Sequence, residues 1–182
     1  MKTIFQGIGS KAKVISIAVA GLFTLVACQS MEQGTGQKAS ASLESKSGSK
    51  ATGQVTFVWQ GQDVLITGNF AGLKPNAEQG FHVHEKGDCS APDATSAGGH
   101  FNPETKAHGI PNSGMNHAGD LPNIKSDAQG NAVYSAKLHG FAVNNGPTGI
   151  LGRSVVVHRD PDDYKSQPAG NSGPRIACGL IK

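Results

Sequence analysis

Short runs in which apolar and polar residues alternate set the character of this chain. Over 54–60, QVTFVWQ, Val55, Phe57 and Trp59 fall on one face and polar or smaller residues mostly on the other. That period of two predicts a half-buried strand. A turn at Gly61-Gln62 leads into a second run, 63–70, carrying Val64 and Ile66 in phase. The same reading predicts strands over 80–85, 132–138, 153–158 and 176–181, and DAQGN at 127–131 has hairpin-turn composition. ASASLES at 39–45 reads either as polar lead-in or as a weak first strand. Two stretches break the pattern. One, 86–123, is rich in Gly, Pro, Asn and His; the other, 159–174, is polar. Loops of that length in a compact domain are usually functional. There is no internal repeat, and long amphipathic helical stretches are hard to find. The 182 residues suit one domain with a sizeable core, and 25 glycines with 5% aromatic residues fit short strands joined by many turns. The pattern predicts an all-β fold with two long functional loops.

The N-terminus follows another logic. Lys2, Lys11 and Lys13 precede the apolar run VISIAVAGLFTLVA at 14–27, an n-region followed by an h-region. The run falls short of the roughly 20 apolar residues of a spanning helix. It ends Leu25-Val26-Ala27-Cys28, which resembles the bacterial lipoprotein cleavage box. The resemblance implies a signal peptide over 1–27, cleavage before Cys28 and lipid on its sulfur. It further implies an exported chain, on the periplasmic side of a bacterial membrane. Gln29 after the cysteine favours the outer membrane by the same analogy. Residues 28–38 then form a lipidated tether, polar and Gly/Gln-rich, ahead of a domain over 39–182. An ordinary secretory signal with a chance cysteine is the alternative.

Charge changes little in this picture. The net charge is +3, and the three N-terminal lysines supply the excess; without them 13 basic residues face 13 acidic ones. A near-neutral mature chain gives no reason to expect nucleic acid as a partner.

The histidines change it most. His82 and His84 lie two apart on a predicted strand, so both rings leave the same face. Two unrelated polar residues on a solvent face would give the same pattern, and so would a metal site. The long loop then supplies His100, His108, His117 and Asp120, and His158 ends another predicted strand. Six histidines and an aspartate exceed the needs of one four-coordinate ion, so two neighbouring metals are the economical reading. Imidazole suits zinc and copper alike. His139 lies apart from these spacings and reads as a surface residue.

At this point a family resemblance enters. GFHVHEKGDCSAPDATSAGGHFNPETKAHGIPNSGMNHAGDLPNI resembles the metal-binding region of copper/zinc superoxide dismutases, and GRSVVVHRDPDD and GPRIACGLI resemble its closing segments in the right order. The resemblance runs from about residue 52 to 181. It implies an eight-stranded Greek-key β-barrel or sandwich, an architecture for which this family is a known example. Carried over position by position, it gives copper to His82, His84, His100 and His158, and zinc to His100, His108, His117 and Asp120. His100 would bridge the two metals and hand a proton to departing peroxide. Asp162 would join a ligand of each metal, and Arg175 would guide superoxide to the copper. Lys86 and Lys165 are further candidates for steering. Cys89 and Cys178 would form a disulfide. The implied activity is dismutation of superoxide to O₂ and H₂O₂, protecting the cell envelope. A carrier that binds the same metals without turnover is the competing reading, but it needs neither an anion channel nor a shared ligand. Family members dimerise through different faces or stay single, so a homodimer remains open.

Overall fold

The computed structural model describes residues 36–182; the signal run, the cleavage box, Cys28 and most of the tether lie outside the described residues. Eight strands follow in chain order: β1 (Lys38–Ser45), β2 (Thr52–Gln60), β3 (Asp63–Ala71), β4 (Glu78–His84), β5 (Asp120–Lys125), β6 (Ala132–Leu138), β7 (Ser154–His158) and β8 (Arg175–Leu180). Neighbouring strands pair antiparallel in the order β5-β4-β7-β8-β1-β2-β3-β6. The end strands β5 and β6 pack against each other, so the sheet curls into a nearly closed barrel. Strands β1 to β3 form a meander. The chain then crosses to β4, and crosses again from β6 to β7, a Greek-key path.

The alternation read from the sequence is the alternation of burial. In β1, Ala39, Ala41 and Leu43 point inward between exposed neighbours, and β3 does the same with Val64, Ile66, Gly68 and Phe70. The ASASLES segment is thus a strand, begun one residue earlier at Lys38. Gly36 and Gln37 already join the ladder, donating to the Trp59 carbonyl and accepting from the Trp59 N–H.

One expectation is corrected. The stretch 86–123 is not loop to its end, because β5 begins at Asp120, and it also holds a single 3-10 turn at Thr95–Ala97. Pro122 and Asn123 hide this strand in the sequence. A proline cannot donate to a ladder, but β5 is an end strand whose ladder runs to β4 alone, and the neighbouring Asn123 N–H donates to the Tyr164 hydroxyl instead.

Strands β4 and β7 break the alternation in an informative way. Phe81, Val83, Val155 and Val157 enter the barrel core with Phe57, Ile66, Leu121 and Ile124. The intervening His82, His84, Val156 and His158 therefore leave the outer face, yet all are buried. The loops before β5 and before β8 cover that face. Val156 packs there against Ala94, Ala97 and Cys178 of a second small cluster, and the Cys89–Cys178 disulfide, with Cα atoms 5.8 Å apart, ties the first loop to β8.

Candidate metal centre

Two strands and one loop bring the histidines together. Strand β4 presents His82 and His84, and its antiparallel neighbour β7 presents His158. The loop adds His100, His108 and His117 and reaches Asp120 at the start of β5. Its path is fixed by a triangle of main-chain bonds: Val83 N–H donates to Gly119 O, Gly119 N–H to Phe101 O, and Phe101 N–H to Val83 O, all at 2.8–2.9 Å. Glycine is required at 119, since a Cβ there would strike the Val83 carbonyl. The triangle pins the neighbours of His84, His100 and Asp120 to one another.

The side chains sort into two groups of four, His82/His84/His100/His158 and His100/His108/His117/Asp120, each able to offer ligand atoms within 4.8 Å of one another. Only His100 belongs to both. Its ring stacks on His82 with centroids 3.9 Å apart.

Hydrogen bonds decide which nitrogens are free. His84 Nδ1–H donates to Gly98 O and His158 Nδ1–H to Gly173 O, each at 3.0 Å, because a carbonyl can only accept. In the neutral rings both Nε2 atoms are then bare, and they face each other at 3.3 Å. His82 donates Nε2–H to Asp162 Oδ2 at 2.8 Å, which leaves its buried Nδ1 partnerless. His100 Nε2 is likewise buried without a partner. Four lone pairs thus converge with no proton between them. Uncompensated, that costs free energy; a cation removes the cost.

The second group converges on one oxygen. Asp120 Oδ1 faces the Nδ1 atoms of His100 at 2.9 Å, His108 at 3.1 Å and His117 at 3.3 Å. The other carboxylate oxygen, Oδ2, accepts from the His117 and Gly109 N–H groups. A tetrahedral ion with bonds of about 2 Å needs ligand atoms about 3.3 Å apart, near the 2.9–3.3 Å found around Asp120 Oδ1. Asp162 binds the two groups together. Its Oδ1 accepts from His108 Nε2–H at 2.9 Å while Oδ2 holds His82.

Titration behaviour follows the same geometry. Burial pushes His82, His84 and His158 below the ordinary imidazole range, and it lowers His100 to about 4, so these rings stay neutral and ligand-ready. Burial would lower His108 too, but carboxylates at both its nitrogens outweigh it and hold the ring at about 9. Burial raises Asp120 and Asp162, yet their imidazole partners overcome this and leave both carboxyls well below their usual range.

The comparisons with known proteins give the chain a family. The family model for copper/zinc superoxide dismutase matches residues 51–181. The chain belongs to the copper/zinc superoxide dismutase family. It is 41% identical over 174 residues to "Superoxide dismutase [Cu-Zn] 2" of Aquifex aeolicus, covering 93% of this chain and 99% of that one. It is 45% identical over 141 residues to the Humicola lutea superoxide dismutase, covering 73% and 91%. The crystal structure of the clock protein EA4 superposes with a TM-score of 0.72 at 41% identity, over 81% of this chain and 94% of that one.

The remaining site residues are placed within this superoxide dismutase frame. A cleft of about 330 Å³ opens beside the first group, lined among others by His84, His100, His158, Pro168, Ala169 and Arg175. Arg175 stands opposite His158 in the β7–β8 register. Its guanidinium donates to the Ala94 and Gly98 carbonyls, both at 2.6 Å, and among the described residues no carboxylate forms a salt bridge with it. Lys86 and Lys165 are exposed and do not line the cleft, and His139 is exposed and joins neither group. Sequence reasoning missed the carbonyls of Gly98 and Gly173, which fix His84 and His158. Gly98 sits at φ 73°, ψ −154°, a region open essentially to glycine alone, so the glycine itself was the one available signal.

Proposed function

We propose that the His82/His84/His100/His158 group holds copper and the His100/His108/His117/Asp120 group holds zinc, in an exported enzyme anchored by lipid on Cys28. The activity itself follows from family membership: superoxide dismutation, with copper and zinc as cofactors. Two superoxide ions and two protons give one O₂ and one hydrogen peroxide. Copper, when bound, supplies the one-electron oxidation and reduction this needs, whereas zinc has no redox chemistry and supplies a fixed charge.

The shared His100 is the observation that carries the metal assignment. Three rings of the all-imidazole group, His84, His100 and His158, line the cleft, which suits a redox copper that must meet its substrate, while the other group adds a carboxylate and suits zinc. This chain's residues do the rest. Arg175 presents positive charge in the cleft, free of any salt bridge among the described residues, and orients a small anion beside His158. His100, with Nδ1 turned to the Asp120 group, can hold at Nε2 the proton that a departing peroxide requires. Asp162 fixes His82 and His108 through the nitrogens they do not offer to metal. Export is supported by the three lysines and the apolar run before Cys28, in the order of a signal peptide. Protection of the cell envelope from superoxide is the role such a location implies.

The purified domain should bind about one copper and one zinc per chain and speed superoxide decay. Metal analysis beside a decay assay tests this. Loaded protein no faster than free copper would leave the chain a metal carrier.

A further inference from the structure

Asp162 and the Asp120 group hold the ring of His108, yet its main chain is held as well. Gln167, in the loop before β8, accepts from the His108 N–H through Oε1 at 2.9 Å. It also donates Nε2–H to the His108 carbonyl at 2.9 Å. One carboxamide thus satisfies both main-chain groups of a residue 59 positions earlier. A paired bond of this kind fixes orientation as well as distance, as a rung of a β-ladder does. Nε2 also lies 3.3 Å from the Lys165 carbonyl, a contact inside its own turn.

The residues after Gln167 face the substrate side. Pro168 and Ala169 line the cleft with His84, His100, His158 and Arg175. The turn that carries them is stiff. Asp163 N–H donates to Gly170 O and Gly170 N–H to Ser166 O, at 2.9 and 2.7 Å. The Asp163 carboxylate accepts from the main-chain N–H groups of Lys165 and Ser166 and from the Ser166 hydroxyl. Such a turn moves as one piece, so its points of attachment decide where the cleft wall stands. Asp162 attaches one end through two imidazoles. Gln167 is the attachment next to the wall, one residue from Pro168.

We infer that Gln167 is a positioning residue: it docks the Pro168–Ala169 wall onto the main chain of His108 and thereby sets the opening through which a small anion reaches Arg175. This rests on the cleft being the entry for superoxide, as proposed above. Nothing in the sequence around Gln167 marks it, because an amide bonding to distant main chain has no local pattern.

The test uses the copper- and zinc-loaded protein with Gln167→Ala, Gln167→Met and Gln167→Glu. Azide, a small monoanion, probes the cleft through the absorption change on copper. Hydrogen exchange of the His108 amide, followed by NMR in the reduced diamagnetic form, probes the strap. With alanine, the His108 amide should exchange at least about fivefold faster, the ratio that one net hydrogen bond is worth. Azide affinity and kcat/KM should fall together by a similar factor, with both metals retained. Methionine restores length without either bond and should match alanine. Glutamate keeps the acceptor but loses the donor, and should fall between parent and alanine.

Methionine behaving like the parent would assign Gln167 to packing and overturn the inference. Unchanged azide affinity despite faster His108 exchange would overturn it too, since the bond would then place nothing. Failure of the dismutase reading shows in the parent protein, as absent azide binding and turnover. Failure of this inference shows only in the variants.

Discussion

Arg175 is the residue whose role is easiest to put to the test. Two of its donors are spent on loop carbonyls, and no carboxylate among the described residues forms a salt bridge with it. The guanidinium is therefore rigid and positive beside a cleft that must admit an anion. Arg175→Ala should retain both metals and lower kcat/KM for superoxide by roughly tenfold, the lower range for charge focused in a cleft, a setting for which this family is a standard example. Arg175→Lys should fall between, keeping the charge but losing the fork. Arg175→Glu should be slowest. Added salt should slow the parent, because exposed charges are screened over about 8–10 Å, and should slow the Glu variant least. Equal rates at low salt, with copper matched, would remove Arg175 from the mechanism.

The metal-free site has a pH signature of its own. His100 titrates at about 4 in the folded chain against 6.5 when free, and His82, His84 and His158 are shifted the same way by burial. The unfolded chain then binds protons first, so folded stability is full above 6.5 and is lost as pH falls from 6.5 towards 4. His108, raised to about 9, acts oppositely: its contribution is full below 6.5 and is lost as pH climbs towards 9. Four rings outweigh one on the acid side. Thermal unfolding of chelator-treated protein should give a lower Tm at pH about 5 than at about 7; a flat profile would mean the rings are hydrated. The ligands themselves were legible, since His-x-His on a strand and a histidine-rich loop are residue-type signals. The carbonyls of Gly98 and Gly173 and the amide of Gln167 were not, because what they do depends on chain separated by many residues.

At the scale of elements, legibility tracks side-chain size. Strands β2 and β3 announce themselves through Val, Ile, Phe and Trp, whereas β1 buries only Ala39, Ala41 and Leu43 and reads weakly. Strand β5 was hidden by Pro122. The loop before it depends on a covalent tie. Cys89–Cys178 spans 89 residues, and closing a loop of that length is worth ~4–5 kcal/mol in the chain-entropy account. The same loop carries Gly98, whose carbonyl receives both His84 and Arg175. Reduction should therefore act twice. Tm should drop by roughly 10 °C, and copper should pass to a chelator faster while zinc, held by the Asp120 group, is less affected. Calorimetry and metal-transfer kinetics on verified reduced protein check this, and unchanged values in both would make the bridge dispensable.

For the whole molecule, the proposed export and anchoring rest on the first 28 residues. Cys28→Ser should move the protein from the detergent phase to the aqueous phase of a partition assay without changing specific activity. A variant that stays with detergent would point to an uncleaved apolar segment instead. The described residues hold no helix long and apolar enough to cross a membrane.

Every ligand projects from the outside of the barrel, while its interior of Phe57, Ile66, Phe81, Leu121 and their neighbours contains none of them. Under the export proposed above, an order of biogenesis follows from this. A chain threaded unfolded and metal-free through a translocation pore would close its barrel first, oxidise its cysteines next and be furnished with ions last. On that proposal no metallochaperone need act before export, and scarcity of copper in the surroundings would leave a stock of folded, waiting enzyme rather than a pool of chain for proteolysis.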